Sequence, residues 1–263
     1  MNIADRVTVT LEDGVAHVRL ERPDKLNALD EAMFNAIVEA GQRLYETREA
    51  RCVVLSGAGR GFSAGLDLSA LESTGSEARV TDRTHGNCNR AQQSAMVWRK
   101  LPMPVIAAIH GICFGGGLHI ASGACVRICA PDARLAVMEL KWGLVPDMGG
   151  HALWRGNVRD DVLRELTYTH REFSGEDAVR WGFATHVDPD PVGRALALAS
   201  EIALNSPHAL HAAKALANRQ HDCTVEQLLA AESHEQQRLI GSRNQREAVA
   251  AGIGQRPPAF VDA

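Results

Sequence analysis

Two short glycine-bearing segments carry the strongest chemical signal in this 263-residue chain. The first runs Gly61-Phe62-Ser63-Ala64-Gly65-Leu66-Asp67, and the second runs His110-Gly111-Ile112-Cys113-Phe114-Gly115-Gly116-Gly117-Leu118-His119. Each follows an apolar run of strand character, Val53-Val54-Leu55 in one case and Val105-Ile106-Ala107-Ala108-Ile109 in the other. Backbone without side chains at a strand end can approach a ligand closely. Where glycines open a helix, the first amides point outward with no intrahelical partner. Two such amides from different turns, converging on one oxygen, would stabilise the negative charge that develops on it during reaction, which is the design of an oxyanion hole.

Other constellations are weaker. Gly57-Ala58-Gly59-Arg60-Gly61 follows a strand, but its spacing is not the Gly-x-Gly-x-x-Gly of a dinucleotide site, and no Gly-Lys-Ser/Thr for phosphate is present. His208 and His211 stand at a three-residue spacing that suits a metal, yet no third ligand lies nearby, so no metal is expected. His85 and Cys88 fall in a polar stretch and read as surface residues.

The two glycine segments are similar to paired signatures of the crotonase superfamily, the enoyl-CoA hydratase/isomerase family. Arg22-Pro23-Asp24-Lys25-Leu26-Asn27-Ala28-Leu29, Glu139-Leu140-Lys141-Trp142-Gly143-Leu144-Val145-Pro146-Asp147, and Asn205-Ser206-Pro207 followed by Ala212-Ala213-Lys214 resemble the family as well, in the same order and spacing. The likeness covers nearly the whole chain and fades across about 69–95. It implies an acyl-CoA thioester as substrate, with coenzyme A part of that substrate and no further cofactor. By motif position it assigns the oxyanion hole to the backbone amides of Ala64 and Gly116. Lys25, Leu26, Ala28, Gly65, Leu66, Asp67 and Gly115 become the substrate- and coenzyme-binding positions, with Arg22 and Arg60 as further cations nearby.

Glu139 matches one of the two glutamates that share the added water in the family's hydratases, whereas His119 stands where the other would be. Histidine titrates near neutrality and suits proton transfer, but its reach and charge differ from those of a carboxylate. Asp147 follows Glu139 by eight residues, the spacing of Glu and Asp in the family's dienoyl-CoA isomerases, which have aspartate at the position of His119. Two carboxylates across a substrate can take a proton from one carbon and return it to another. Aspartate at this position is also the nucleophile of the family's dehalogenases. The expected catalytic set is therefore Glu139, Asp147 and His119, acting in isomerisation or hydration of an enoyl-CoA. The alternatives are hydrolysis or dehalogenation through Asp147, or a non-catalytic binder of CoA esters.

A formal net charge of −4 argues against a general nucleic-acid binder. The cysteines at 52, 88, 113, 125, 129 and 223 form no Cys-x-x-Cys pair and read as reduced thiols of a cytoplasmic protein. No secretory pattern opens the chain, and the apolar stretch 103–129, interrupted by glycines, histidines and Arg127, reads as buried strand, loop and helix rather than a membrane span.

The elements that must position these residues are legible in outline. Val7, Val9 and Leu11, then Ala16, Val18 and Leu20, alternate around Asp13-Gly14 as a hairpin. Asp30 caps a helix with apolar positions Met33, Phe34, Ile37, Val38 and Leu44. Strands are expected at about 51–56, 104–109, 126–130 and 134–138, helices at about 87–100 and from the second glycine segment to about 124, and a loop or lid over 69–85. Helices follow at roughly 191–204, 207–219 and 224–250. The fold class is α/β. The resemblance implies a crotonase-like spiral of repeated strand–strand–helix turns over 1–190, with a C-terminal helical trimerisation region over 191–263, hence a homotrimer or dimer of trimers.

Overall fold

The computed structural model describes residues 1–69 and 79–263. Strands β1 (Asn2–Ile3), β2 (Val7–Glu12) and β3 (Val15–Leu20) form the N-terminal antiparallel ribbon, with Val9 opposite Val18. Helix α1 (Glu31–Glu46) follows, capped as expected by Asp30, whose carboxylate accepts from the Met33 amide at 2.7 Å. That carboxylate also pairs with Arg6 at 2.9 Å, which pins the helix start to the ribbon.

The later strands divide between a large sheet and a small one, with β5 and β7 each followed by a strand of the small sheet. Strand β4 (Cys52–Gly57) lies parallel to β3, and β5 (Val105–Ile109) parallel to β4. Between β4 and β5 lies helix α2 (Arg90–Lys100), closed by a capping box on Asn89 and Gln92. Strand β6 (Ile112–Phe114) then leaves the large sheet and leads into helix α3 (Gly116–Ser122). Strand β7 (Val126–Cys129) returns to the large sheet and β8 (Arg134–Ala136) joins β6. After helices α4 (Gly150–Trp154) and α5 (Asp160–Thr169), the short strand β9 (Phe173–Ser174) completes the small sheet against β8. Helix α6 (Gly175–Trp181) and strand β10 (His186–Val187) close the spiral. The large sheet runs β1-β2-β3-β4-β5-β7-β10 and the small one β6-β8-β9. This is the crotonase-like spiral that the motif order implies.

The central strands are apolar on both faces because both are covered. On β4 and β5, Val53, Leu55, Val105, Ala107 and Ile109 face a large core shared with Met33, Ile37, Trp98 and Leu118. The alternate residues Cys52, Val54, Ile106 and Ala108 face a second core built with Ala195, Ala199 and Ala203. Those alanines lie on helix α7 (Pro191–Ala203), so this helix belongs to the sheet layers. A boundary at 190 therefore cuts through one packed unit, and the purely helical part begins with α8 (Pro207–Arg219). The helix expected over 224–250 is two, α9 (Val225–Leu239) and α10 (Arg243–Ile253), parted at Gly241, whose φ of +72° a right-handed helix does not accommodate. The 69–85 loop or lid falls largely outside the described residues, and 79–89 form turns with a His85–Cys88 bridge.

Lys214, part of the Ala212-Ala213-Lys214 motif, is buried and donates to the carbonyls of Trp98 at 2.9 Å and Met103 at 2.8 Å. Burial pushes its pKa down. The ammonium satisfies the end of α2 and the approach to β5, tying α8 to the core. Lys214→Met would leave both carbonyls without this donor and should lower unfolding free energy by about 1–3 kcal/mol, read from the urea midpoint.

Candidate active site

The first glycine segment is held by one buried asparagine. Leu26 and Asn27 both adopt left-handed backbone, with φ of +51° and +55°. The Asn27 side-chain amide donates to the carbonyls of Ala58 and Gly61, each at 2.9 Å, and its oxygen accepts from the Arg22 amide at 2.8 Å. Its own carbonyl accepts from the Ser63 hydroxyl at 2.8 Å, which in turn receives the Gly65 amide at 3.2 Å. Asparagine tolerates left-handed backbone and offers both donors and an acceptor, so few residues could replace it here.

The Ala64 amide is not available for a ligand. It donates to the Leu26 carbonyl at 2.8 Å, which corrects its assignment to an oxyanion hole. Two residues on, the bridge to Leu29 uses the Gly65 carbonyl and the Asp67 amide, so the Leu66 N–H points away from Leu29. Neither the Leu66 nor the Gly116 amide has a hydrogen-bond acceptor among the described residues. The two segments touch: a Cβ on Gly65 would stand 2.6 Å from the Phe114 carbonyl oxygen and 3.5 Å from the Gly116 nitrogen. A side chain at 65, where φ is +83°, would be excluded on both counts.

Asp67 is also spoken for, against its expected contact with ligand. Its carboxylate accepts from the Ser69 hydroxyl at 2.8 Å and from Arg22 at 2.6 Å, which hold its pKa down at about 2. Arg22 donates as well to the Ala28 carbonyl at 3.1 Å, so this cation serves the turn. Lys25, on the 3-10 turn Pro23–Lys25, and Arg60 are exposed, with no ion pair among the described residues.

The acid–base candidates come together beside the glycines. Strand β8 delivers Glu139 at the start of a 3-10 turn, Glu139–Trp142, where its Oε1 would lie 3.2 Å from a Cβ on Gly115. Helix α3 directs His119, fully buried, to the same place, with Nε2 3.1 Å from Glu139 Oε1. These atoms are in contact but not aligned as a hydrogen bond. Both imidazole nitrogens and Glu139 Oε2 are buried without hydrogen-bond partners among the described residues. Asp147 lies within electrostatic reach of both. Its surface is open to solvent, yet enough protein surrounds it that desolvation raises its pKa; His119 opposes that rise and Glu139 adds to it. Between the two carboxylates in sequence, Trp142, Leu144 and Val145 stand exposed, apolar side chains that periodicity does not reveal because the segment holds only a single 3-10 turn.

Sequence reasoning also left Met148 and Trp154 without a role. The Met148 sulfur would lie 2.9 Å from a Cβ on Gly116, and the Trp154 ring lies 4.7 Å from the His119 ring at 52°. No cluster of three metal-ligating side chains occurs among the described residues; His208 instead bonds Asn244 at 2.9 Å. No described helix is long and apolar enough to cross a membrane.

The profile of the enoyl-CoA hydratase/isomerase family matches residues 10–263. The chain belongs to the enoyl-CoA hydratase/isomerase family. Among the family's curated members it is 36% identical over 210 residues to the mitochondrial Delta(3,5)-Delta(2,4)-dienoyl-CoA isomerase of Rattus norvegicus, covering 76% of this chain and 64% of that protein. The match thus spans slightly less than two thirds of that relative's length. It is 31% identical to the carnitinyl-CoA dehydratase of Salmonella enteritidis, over 86% of this chain and 85% of that protein. Among solved structures, an enoyl-CoA hydratase of Mycobacterium smegmatis superposes with a TM-score of 0.87 at 29% identity, covering 97% of this chain and 98% of that one. A putative enoyl-CoA hydratase of Streptomyces coelicolor gives 0.88 at 30%, covering 97% and 94% respectively.

A charged His119 lowers the Asp147 pKa, so removing that charge removes the lowering. His119→Gln should therefore move the Asp147 titration to still higher pH, followed by carbon-detected NMR of the labelled carboxyl. An unchanged midpoint would show that the two groups do not sense each other.

Proposed function

We propose that this family member is an acyl-CoA enzyme that moves a double bond within an enoyl- or dienoyl-CoA, with the amides of Leu66 and Gly116 as its oxyanion hole. The observation that carries the reading is Glu139 set against Gly115 and in contact with His119, with Asp147 electrostatically coupled to both. In this scheme the thioester carbonyl accepts from the two amides, which raises the acidity of the neighbouring carbon. Glu139 takes the proton there, electron density moves onto the carbonyl oxygen, and the enolate is reprotonated at a more distant carbon by Asp147. A carboxyl with raised pKa is suited to hold that proton. The exposed Trp142, Leu144 and Val145 offer apolar surface for the acyl chain, and Lys25 offers charge for the coenzyme's phosphates.

One observation favours a second outcome on the same scaffold. The unpartnered nitrogens of His119 and the free Oε2 of Glu139 provide donor and acceptor capacity for a water, as addition to or elimination from a β-carbon requires. Hydration therefore stands beside isomerisation, while dehalogenation through Asp147 and a silent binder remain alternatives with no observation in their favour.

The C-terminal helices support self-association. Leu204, Val225, Leu229, Ile240 and Ile253 are all more than half exposed, and α9 buries no residue within its own chain. A homotrimer, or a pair of trimers, would cover them. The cytoplasm is our assigned compartment, supported by cysteines that are all unpaired, although the Rattus norvegicus relative carries a mitochondrial name.

Incubation with enoyl- and dienoyl-CoA esters in deuterated water tests the chemistry. We expect double-bond migration or water addition with deuterium at the α- or γ-carbon, and a loss of about 10²–10⁴-fold in kcat for Glu139→Gln. Full activity of that variant, or no reaction of the wild-type with any such ester, sinks the proposal. Sedimentation of the purified chain should give a trimer or hexamer; a monomer at micromolar concentration would contradict the assembly.

A further inference from the structure

His119 is fully buried, lacks hydrogen-bond partners for its own nitrogens among the described residues, and yet is placed against Glu139. Packing against a neighbouring ring helps to hold it there. That ring is an indole outside the substrate-facing set, itself supported by further side chains. The Trp154 indole packs on the imidazole at 4.7 Å and is itself 2% exposed. Its Nε1–H donates to the Ser122 hydroxyl at 2.8 Å, and that hydroxyl donates to the Leu118 carbonyl at 2.7 Å, inside the helix that bears His119. Phe183 backs the indole edge-on at 5.7 Å, and the exposed His151 touches another side of it at 6.0 Å. The space the rings need comes from Gly150, the first residue of α4. A Cβ there would stand 2.5 Å from His119 Cε1, 2.6 Å from its Nδ1 and 2.5 Å from Trp154 Cη2. Of the titratable groups, Glu139 and Asp147 face the imidazole electrostatically.

We propose that Trp154, anchored through Ser122 and given room by Gly150, is a positioning residue that holds the His119 imidazole in register with the Glu139 carboxylate. The clamp loops back on itself: α3 carries the imidazole and also holds the indole that pins it. A flexible histidine at 119 would present its nitrogens to Glu139 only part of the time. Clamped, it keeps one edge on the carboxylate, so the base stays oriented toward the carbon it must deprotonate. The inference rests on the acyl-CoA reading for its kinetic consequence, but not for its structural one.

The test combines kinetics with NMR on the full-length protein. Trp154→Phe keeps apolar bulk but removes the donor and part of the stacking surface. It should lower kcat by about tenfold while KM stays within about twofold, since orientation rather than binding is lost. In the His119→Gln background the same change should add no further loss, because the clamp then has nothing to hold. Losses that multiply, or a change confined to KM, overturn the proposal. The second arm needs no turnover. The His119 Cε1–H resonance, identified by its disappearance in His119→Gln, should be displaced by the indole ring current and move in Trp154→Phe. If it stays in place the clamp does not exist, whatever the activity. A wild-type enzyme inert toward acyl-CoA esters, but with that resonance shift, would fault the functional reading and leave the clamp standing. Should Trp154→Phe fail to fold, Ser122→Ala, which removes one hydroxyl, serves in both arms with the same expectations.

Discussion

One buried amide organises the end of this molecule where the two glycine segments meet. Asn27 sits where two segments meet, its side-chain oxygen bonded to backbone of its own turn and its amide nitrogen to backbone of the loop after β4. Those bonds fix the turn after β3 against the loop after β4, and through Ser63 they fix the backbone that leads to Leu66. Buried polar groups are costly when unpaired and specific when fully paired. Here full pairing converts an unfavourable left-handed backbone into a rigid brace. The Arg22–Asp67 ion pair closes the same turn from outside, so residues that resemble ligand contacts serve the architecture instead. What remains for a ligand is backbone: amides that a neighbouring strand has not used.

The second determinant is electrostatic. Glu139 and Asp147 are presented by the same irregular segment, with His119 facing them from the first turns of a helix. Burial and the neighbouring carboxylate lift the proton affinity of Asp147, and the imidazole moderates that lift. A histidine at 119 therefore sets a different balance of charge from that of a third carboxylate. Two like charges with a third repel and share protons unevenly, whereas two carboxylates with an imidazole can each be held in a different state.

Much of this was readable from residues alone, where a local rule determined the outcome. The hairpin around Asp13-Gly14, the Asp30 cap and the order of strands and helices followed from alternation, turn chemistry and capping. The placement of Glu139 beside the glycine helix is what the family resemblance implied. The misassigned Ala64 shows where that logic stops. Which amide of an extended segment faces a ligand depends on which ones its neighbours consume, and the consumer of the Ala64 amide is Leu26, far earlier in the chain. Trp154 and Met148 escaped notice for the same reason: their importance is a matter of what they touch, and neither lies in a periodic element long enough to announce a face. The break at Gly241 was missed because its flanks read equally well as one helix or two.

The alanine seat of α7 on the rear of the large sheet has an implication of its own. Strands β4 and β5 are shared between two apolar interiors, one inside the spiral and one under this late helix. Neither interior can be opened without exposing the reverse side of the same strands to water. Loosening of the rear seat would therefore be felt at the ends of those strands, where both glycine turns begin, and the sheet and α7 should melt together.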